Sequence, residues 1–373
     1  ADAGGVQPGG RYSTLPSGTV SGVPSVVGPP LDLARTGPVW PTQYALRTYW
    51  DGSAMSYRAS SDLRTQPFRA IAGAPTPDGD EYLTVRGRYG YATNERATVI
   101  HAFDLEALTY LGATALPSGH LGYSPCAVSP DGASLLCTTY DYPVAGAPQA
   151  WIEVFSVASG VLTHQGSVSI QHPSNVYGCG DIAFASDGTA YLTSSRNADA
   201  TIAPGFYVAA PPYTSATFHD LSALFVDPTY VAFYGIVLTP SEAQVLIVCM
   251  SQVTTAYLVI VRPDGTSGVL LDLGAAWGGG GVAISPNGLT ACIGRGAGVV
   301  FVAGPSFAGS SSVSVHALDC SQIHRIFALS NGSGFLMANY PFYYVLEAPF
   351  TAGATPWAVP DPGNPTLITN IAI

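Results

Sequence analysis

A four-residue turn recurs down this chain, and an apolar, strand-like run follows it each time. The matches are TPDG at 76–79, SPDG at 129–132, SDG at 186–188, TPSE at 239–242, SPNG at 285–288 and SNG at 330–332. Taking Gly79, Gly132, Gly188, Glu242, Gly288 and Gly332 as equivalent points, the steps are 53, 56, 54, 46 and 44 residues. A constant step of this size means that one supersecondary unit is repeated. No single unit can bury its apolar face alone, so the units must pack on one another.

The unit is legible in residues 124–168. PCAVSP is a short apolar strand, PDG a turn and ASLLCTTY a second strand. A polar loop follows, then WIEVFSV, the turn ASG, and VLTHQGSV. Each strand is bounded by Gly, Pro, Asp or Ser, the hairpin signal. GVAISPNG-LTACIGR-GAG-VVFVAG and YGIVLTPSE-AQVLIVCM-SQVTTA-YLVIV follow the same order. Four antiparallel strands per repeat is the anatomy of a β-propeller blade, so the expected fold class is all-β. Six repeats start near residues 69, 124, 179, 234, 280 and 324. The terminal segment TLITNIAI reads as a lone strand, and YALRTYW-DG-SAMSYRAS as a third strand, a DG turn and a fourth. The expectation is a seventh blade built from both termini, which leaves no open ring edge; six blades plus a separate hairpin is the alternative. Residues 41–373 then form one propeller domain, and the Gly/Pro-rich residues 1–40 an extended arm or tail.

Composition narrows the function classes. Only 10% of residues are charged, the net charge is −11 and the pI is about 4.8. A general nucleic-acid binder would carry a basic face, so no nucleic-acid partner is expected. No apolar run is long enough to span a membrane as a helix. All 13 cationic side chains other than His are Arg, and nine precede residue 97. A start at Ala1 fits either a cleaved signal peptide or a removed initiator Met. Six Cys at irregular spacing do not make a disulfide framework. Cys137, Cys249 and Cys292 fall inside equivalent strands of different repeats and read as buried free thiols. Cys126 and Cys137 flank one turn and are the best-placed pair for a disulfide.

The segments CAVSPDGASLLCTTY, DIAFASDGTAYLTSS and GVAISPNGLTACIG resemble the WD40/YVTN-type β-propeller superfamily over about residues 69–350. The WD dipeptide and GH signature of true WD40 repeats are absent. The resemblance implies the fold and hints at a secreted surface protein, a lactonase-like enzyme or a phage virion protein of the tail region. A superfold of this kind hosts many activities.

Candidate binding residues come from the parts that depart from the minimal repeat. The segments 85–97, 139–149 and 194–205 read as long loops joining second to third strands on one face. They would gather Arg86, Arg88, Tyr89, Tyr91, Arg96, Tyr140, Asp141, Tyr142, Arg196 and Asn197 there. A second set carries one ring ahead of each first strand: Phe68, Tyr123, Tyr177, Tyr234, Trp277 and His324. Such rings either stack on sugar or peptide faces or wedge between blades.

Catalytic motifs are missing from the sequence. There is no HExxH, Cys-x-x-Cys, GxSxG or D-x-D-x-D, so no catalytic residue, metal ligand or cofactor is assigned. GGGG at 278–281 precedes a strand, not a helix, and is not a phosphate loop. Asp181 reads as a structural acceptor. The favoured expectation is a non-catalytic binding or structural module of a virion or cell surface, or an extracellular one. Its partner would be a glycan, a receptor or a neighbouring subunit of a larger assembly. The alternative is a secreted propeller enzyme of lactonase or hydrolase type, with a channel-mouth site built from His120, His172, Asp181, His324 and Arg325.

Overall fold

The computed structural model describes residues 44–50, 55–60, 68–77, 81–94, 96–122, 126–141, 149–170, 181–194, 203–226, 231–251, 255–275, 281–295, 298–304, 307, 314–317, 325–328, 334–339, 342–347, 357–358 and 371–372. Among them, strands fall into seven antiparallel sheets, six of four strands and one of five. Six of these follow one another along the chain, spanning 81–115, 121–170, 182–220, 231–275, 282–317 and 325–358. The remaining terminal sheet joins both chain ends. Ile371–Ala372 pairs with Ala45–Trp50, placing Leu46 opposite Ala372 and Arg47 opposite Ile371. The fold is an all-β propeller, and one turn of 3-10 helix at Ser222–Leu224 is the described helical element.

The recurring turn has a physical basis that repeats in detail. In SPDG, the Ser129 hydroxyl donates to Asp131 Oδ1 at 2.5 Å, and the Ser134 amide donates to Ser129 Oγ at 2.9 Å. Asp131 Oδ1 also accepts the Ala133 amide at 3.0 Å, and Gly132 N–H closes onto Ser129 O at 2.9 Å. SPNG repeats the pattern, with Ser285 on Asn287 at 2.7 Å and Gly288 N–H on Ser285 O at 2.8 Å. The fourth residue is left-handed: φ is 74° at Gly132, 89° at Gly188 and 70° at Gly288. That backbone favours glycine because a Cβ crowds the carbonyl. Glu242 holds the same place at φ 55°, and its carboxylate accepts the Ser186 amide of the preceding sheet's turn at 2.5 Å. The exception to glycine therefore ties two sheets together.

Two expectations of strand order are corrected, and they are one slip. The TPDG motif does not join the first and second strands of its sheet. Glu81–Arg86 is the first strand and Tyr89–Asn94 the second, with Arg86 opposite Tyr89 across a two-residue turn. Arg69–Ala70, expected to open that sheet, instead pairs with Met55–Ser60 as the last strand of the terminal sheet. Ala45–Trp50 and Met55–Ser60 accordingly take the second and third places rather than the third and fourth. Turn chemistry is local and does not record which strands it separates.

The apolar side chains do not form one core. They fill the seams between neighbouring sheets, as strand alternation requires when both faces of a sheet are covered. Leu246, Leu258, Ile284, Ile293 and Val300 close the seam between the 231–275 and 282–317 sheets. Tyr91, Ile100, Cys126, Leu135, Cys137 and Phe155 close that between 81–115 and 121–170. Cys137, Cys249 and Cys292 are buried free thiols, and burial pushes the Cys249 and Cys292 thiols up.

Candidate functional site

Antiparallel order divides each sheet into two ends. First-to-second and third-to-fourth turns lie at one end, which the repeat motif occupies. Second-to-third loops and sheet-to-sheet linkers lie at the other. The expected binding face was the loop end, and the structure redistributes its residues. Arg86, Arg88 and Tyr89 belong to the first hairpin, at the turn end. Arg86 donates to the Pro130 carbonyl of the next sheet's SPDG turn. Arg88 pairs with Asp104 and with Glu106 at 3.1 Å, and its guanidinium lies 5.3 Å from the Tyr89 ring. Tyr91 and Tyr140 are 1% and 2% exposed, inside strands, so neither is a loop residue able to contact a ligand. The reason is the alternation of Tyr89–Asn94 and Ser134–Tyr140, which turns these rings into the seams. Arg96 and Asp141 stay on described loops at the far end; Arg96 is exposed, at φ 69°, its amide on Gly122 O at 2.7 Å, and Asp141 Oδ1 accepts the Gln149 amide at 2.8 Å.

The ring set does not hold as one equivalent series. Phe68 precedes the last strand of the terminal sheet, and the buried Arg47 guanidinium lies 4.0 Å from its ring centre. Tyr234 is 38% exposed on the first strand Val231–Leu238, where an irregularity between Phe233 and Gly235 turns it outward. Tyr123, Tyr142, Tyr177, Arg196, Asn197, Trp277, His172 and His324 lie outside the described residues. Asp181 caps a strand and links sheets, accepting the Ile182 amide at 2.9 Å and the Ile236 amide at 3.3 Å.

His120 sits in a different constellation. Glu153, fully buried on the strand Ala150–Ala158, accepts four side-chain contacts. Thr139 Oγ1 lies 2.7 Å and His120 Nδ1 2.6 Å from Oε1; Ser167 Oγ lies 2.6 Å and His164 Nε2 2.9 Å from Oε2. The His120 ring stacks on Trp151 at 3.8 Å and 15°. Burial alone would raise the Glu153 pKa, but the bonds from Ser167, Thr139, His120 and His164 outweigh it and hold the carboxyl below its ordinary value. Four donors from two strands and a linker around one carboxylate make a structural hub. The sequence did carry a signal for it: a lone acid inside the otherwise apolar run WIEVFSV.

The described residues also enclose a cavity of about 380 Å³ at the turn end, between the 121–170 and 182–220 sheets. Asp131 and Asp187, third residues of two successive repeat turns, stand at its rim, with Ser156, Gln165, the Pro211–Pro212 pair and Tyr213 around it. The two carboxylates are alike because the turns are alike. Each uses Oδ1 for its own turn, Asp187 accepting the Thr189 amide at 2.8 Å. The hydrogen bond from Ser129 holds Asp131 below the ordinary carboxylate range, helped by the Ala133 amide, so it is ionised at neutral pH. Tyr213 is anchored by its hydroxyl on Gly188 O at 2.8 Å, and Gln165 by Ser156 Oγ at 2.9 Å. The cavity therefore presents fixed acceptors, an amide and ring edges. No group of three or more His, Cys, Asp or Glu among the described residues is arranged to hold a metal ion.

No family model and no curated protein matches the chain. Many solved structures do. A functionally unknown protein of Desulfotomaculum acetoxidans is similar at TM-score 0.59 and 11% identity, covering 89% of this chain and 99% of that one. The Dos1 propeller is similar at 0.55 and 10%, covering 83% and 82%. An oligogalacturonate lyase of Vibrio parahaemolyticus is similar at 0.52 and 11%, covering 79% and 82%. Both enzymes and proteins without a stated activity share this architecture, and at these identities the likeness is one of fold: the chain is a β-propeller protein.

Proposed function

We propose that this protein is a non-catalytic binding module of an extracellular or virion surface, and that its ligand is a glycan. The supporting observation is the cavity between the repeat turns of the 121–170 and 182–220 sheets. Sugar rings need acceptors for vicinal hydroxyls, a donor for ring or hydroxyl oxygens, and a flat apolar wall for their C–H face. Asp131, Asp187 and the Gln165 carbonyl supply the acceptors, the lining Ser134 and Ser186 hydroxyls the donors, and Pro211, Pro212 and Tyr213 the wall. The site thus lies at the turn end, not on the loop end favoured by the sequence.

The test is a glycan array, followed by calorimetric titration of the best hit. Asp187→Asn weakens binding roughly tenfold, as expected for one lost charge-assisted hydrogen bond. Binding that is unchanged in both Asp131→Asn and Asp187→Asn removes the cavity as the site.

A further inference from the structure

Two cysteines in the seam between the 81–115 and 121–170 sheets form a unit of their own. The strand Ser134–Tyr140 pairs antiparallel with Ala127–Val128, Leu135 opposite Val128 and Leu136 opposite Ala127. One further step in that register sets Cys137 opposite Cys126. The pairing changes beyond this point, where Thr139 stands opposite Gly122. The neighbouring Cys126 thiol and burial push the Cys137 thiol up. Both are buried, at 3% and 2% exposure, and belong to the same apolar cluster. The Thr84 hydroxyl, from the neighbouring sheet, donates to the Cys126 carbonyl and fixes that backbone in place.

We propose that Cys126 and Cys137 are a cross-strand dithiol that oxidises to an intramolecular disulfide as the protein folds in an oxidising compartment. Directly opposed residues of an antiparallel pair bring Cα atoms within about 4.5–5.5 Å, inside the span a disulfide bridges. The oxidant is a disulfide carrier, either oxidised glutathione or a protein thiol oxidase. One Cys thiolate attacks a carrier sulfur and forms a mixed disulfide. The second thiolate then displaces the carrier, forming the Cys126–Cys137 bond. Two thiol protons and two electrons leave the protein, and the carrier departs as free thiol or dithiol. Burial makes the pair unreactive once the seam has closed, so the step belongs to folding and not to the finished molecule. Cys249 and Cys292 lie in other sheets and have no such partner among the described thiols.

The experiment uses the full chain, unfolded, reduced and then refolded in either reduced or oxidised glutathione. Acid trapping, alkylation under denaturing conditions and peptide mass mapping follow. The expected result in oxidised buffer is a linked Cys126–Cys137 peptide, with Cys249 and Cys292 fully alkylated, and all six cysteines of the chain alkylated in reduced buffer. Recovery of Cys126 and Cys137 as alkylated thiols in oxidised buffer would falsify the proposal, as would linkage of either to another cysteine. Cys126→Ser should abolish the linked peptide without creating another. Where that variant does not refold, the wild-type map still decides.

Discussion

Two seams of this ring are built on opposite principles. Between the 231–275 and 282–317 sheets the filling is aliphatic and aromatic throughout, with Leu246, Leu258, Ile260, Ile293, Val300 and Phe307 all at 3% exposure or less. Between the 81–115 and 121–170 sheets, the apolar cluster shares its space with an opposed thiol pair, the buried Tyr91 hydroxyl and the Glu153 hub. The aliphatic seam needs only shape and volume. The Glu153 hub within the mixed seam needs its donors in place, because a buried polar group without its partner costs more than a well-made bond contributes. A repeat fold thus keeps one backbone plan while its interfaces differ in what they demand.

The sharpest way to break the comparison is to remove the hub. Glu153→Ala should destabilise the protein by about 4 kcal/mol, since it strands two imidazoles and two hydroxyls in a buried site. Urea unfolding measures it. Leu258→Ala, in the aliphatic seam, should cost about 3 kcal/mol through a cavity and lost contacts. The two differ in pH behaviour. The folded Glu153 pKa lies below its unfolded value, so its contribution is complete above the unfolded pKa and is lost as pH falls through the folded one. Thermal unfolding from neutral to acidic pH should show a shallower fall for Glu153→Gln than for wild type, whereas Leu258→Ala should keep the wild-type slope. An unchanged slope in Glu153→Gln would contradict the assigned shift.

Smaller effects sharpen the picture. Glu242→Ala keeps the left-handed backbone at φ 55° but loses the bond to the Ser186 amide, so it should cost about 1 kcal/mol in chemical denaturation. Tyr91→Phe works in the other direction. The Tyr91 hydroxyl is buried with no hydrogen-bond partner among the described residues, so removing it should raise stability by about 1 kcal/mol and leave binding at the proposed glycan site unaltered. Loss of glycan binding in Tyr91→Phe would restore that residue to the ligand site.

Why the sequence revealed the fold but assigned Arg86, Arg88 and Tyr89 to the wrong end of their sheet follows from particular residues. Gly132, Gly188 and Gly288 need a left-handed backbone, and Ser129, Asp131, Ser285 and Asn287 form bonds within five residues of themselves. Those are local requirements, so they are written in the order of amino acids. The two-residue turn at Gly87–Arg88 was equally readable, flanked by EYLTV and YGYATN, yet the TPDG motif nearby drew the count one strand out of step. That slip carried Arg86, Arg88 and Tyr89 to the opposite end of their sheet.

The sequence by itself determined the repeated strand–turn unit, the all-β class and the joining of the two termini, because hydrophobic alternation and turn stereochemistry act over a few residues. Only the tertiary structure decided which residues meet. Asp131 and Asp187 are 56 positions apart and share one cavity because successive turns are stacked side by side. Glu153 collects partners from residues 120, 139, 164 and 167 because three strands and a linker converge on one buried oxygen pair. Such meetings depend on register and on the packing of whole sheets, and no short window of the chain contains them.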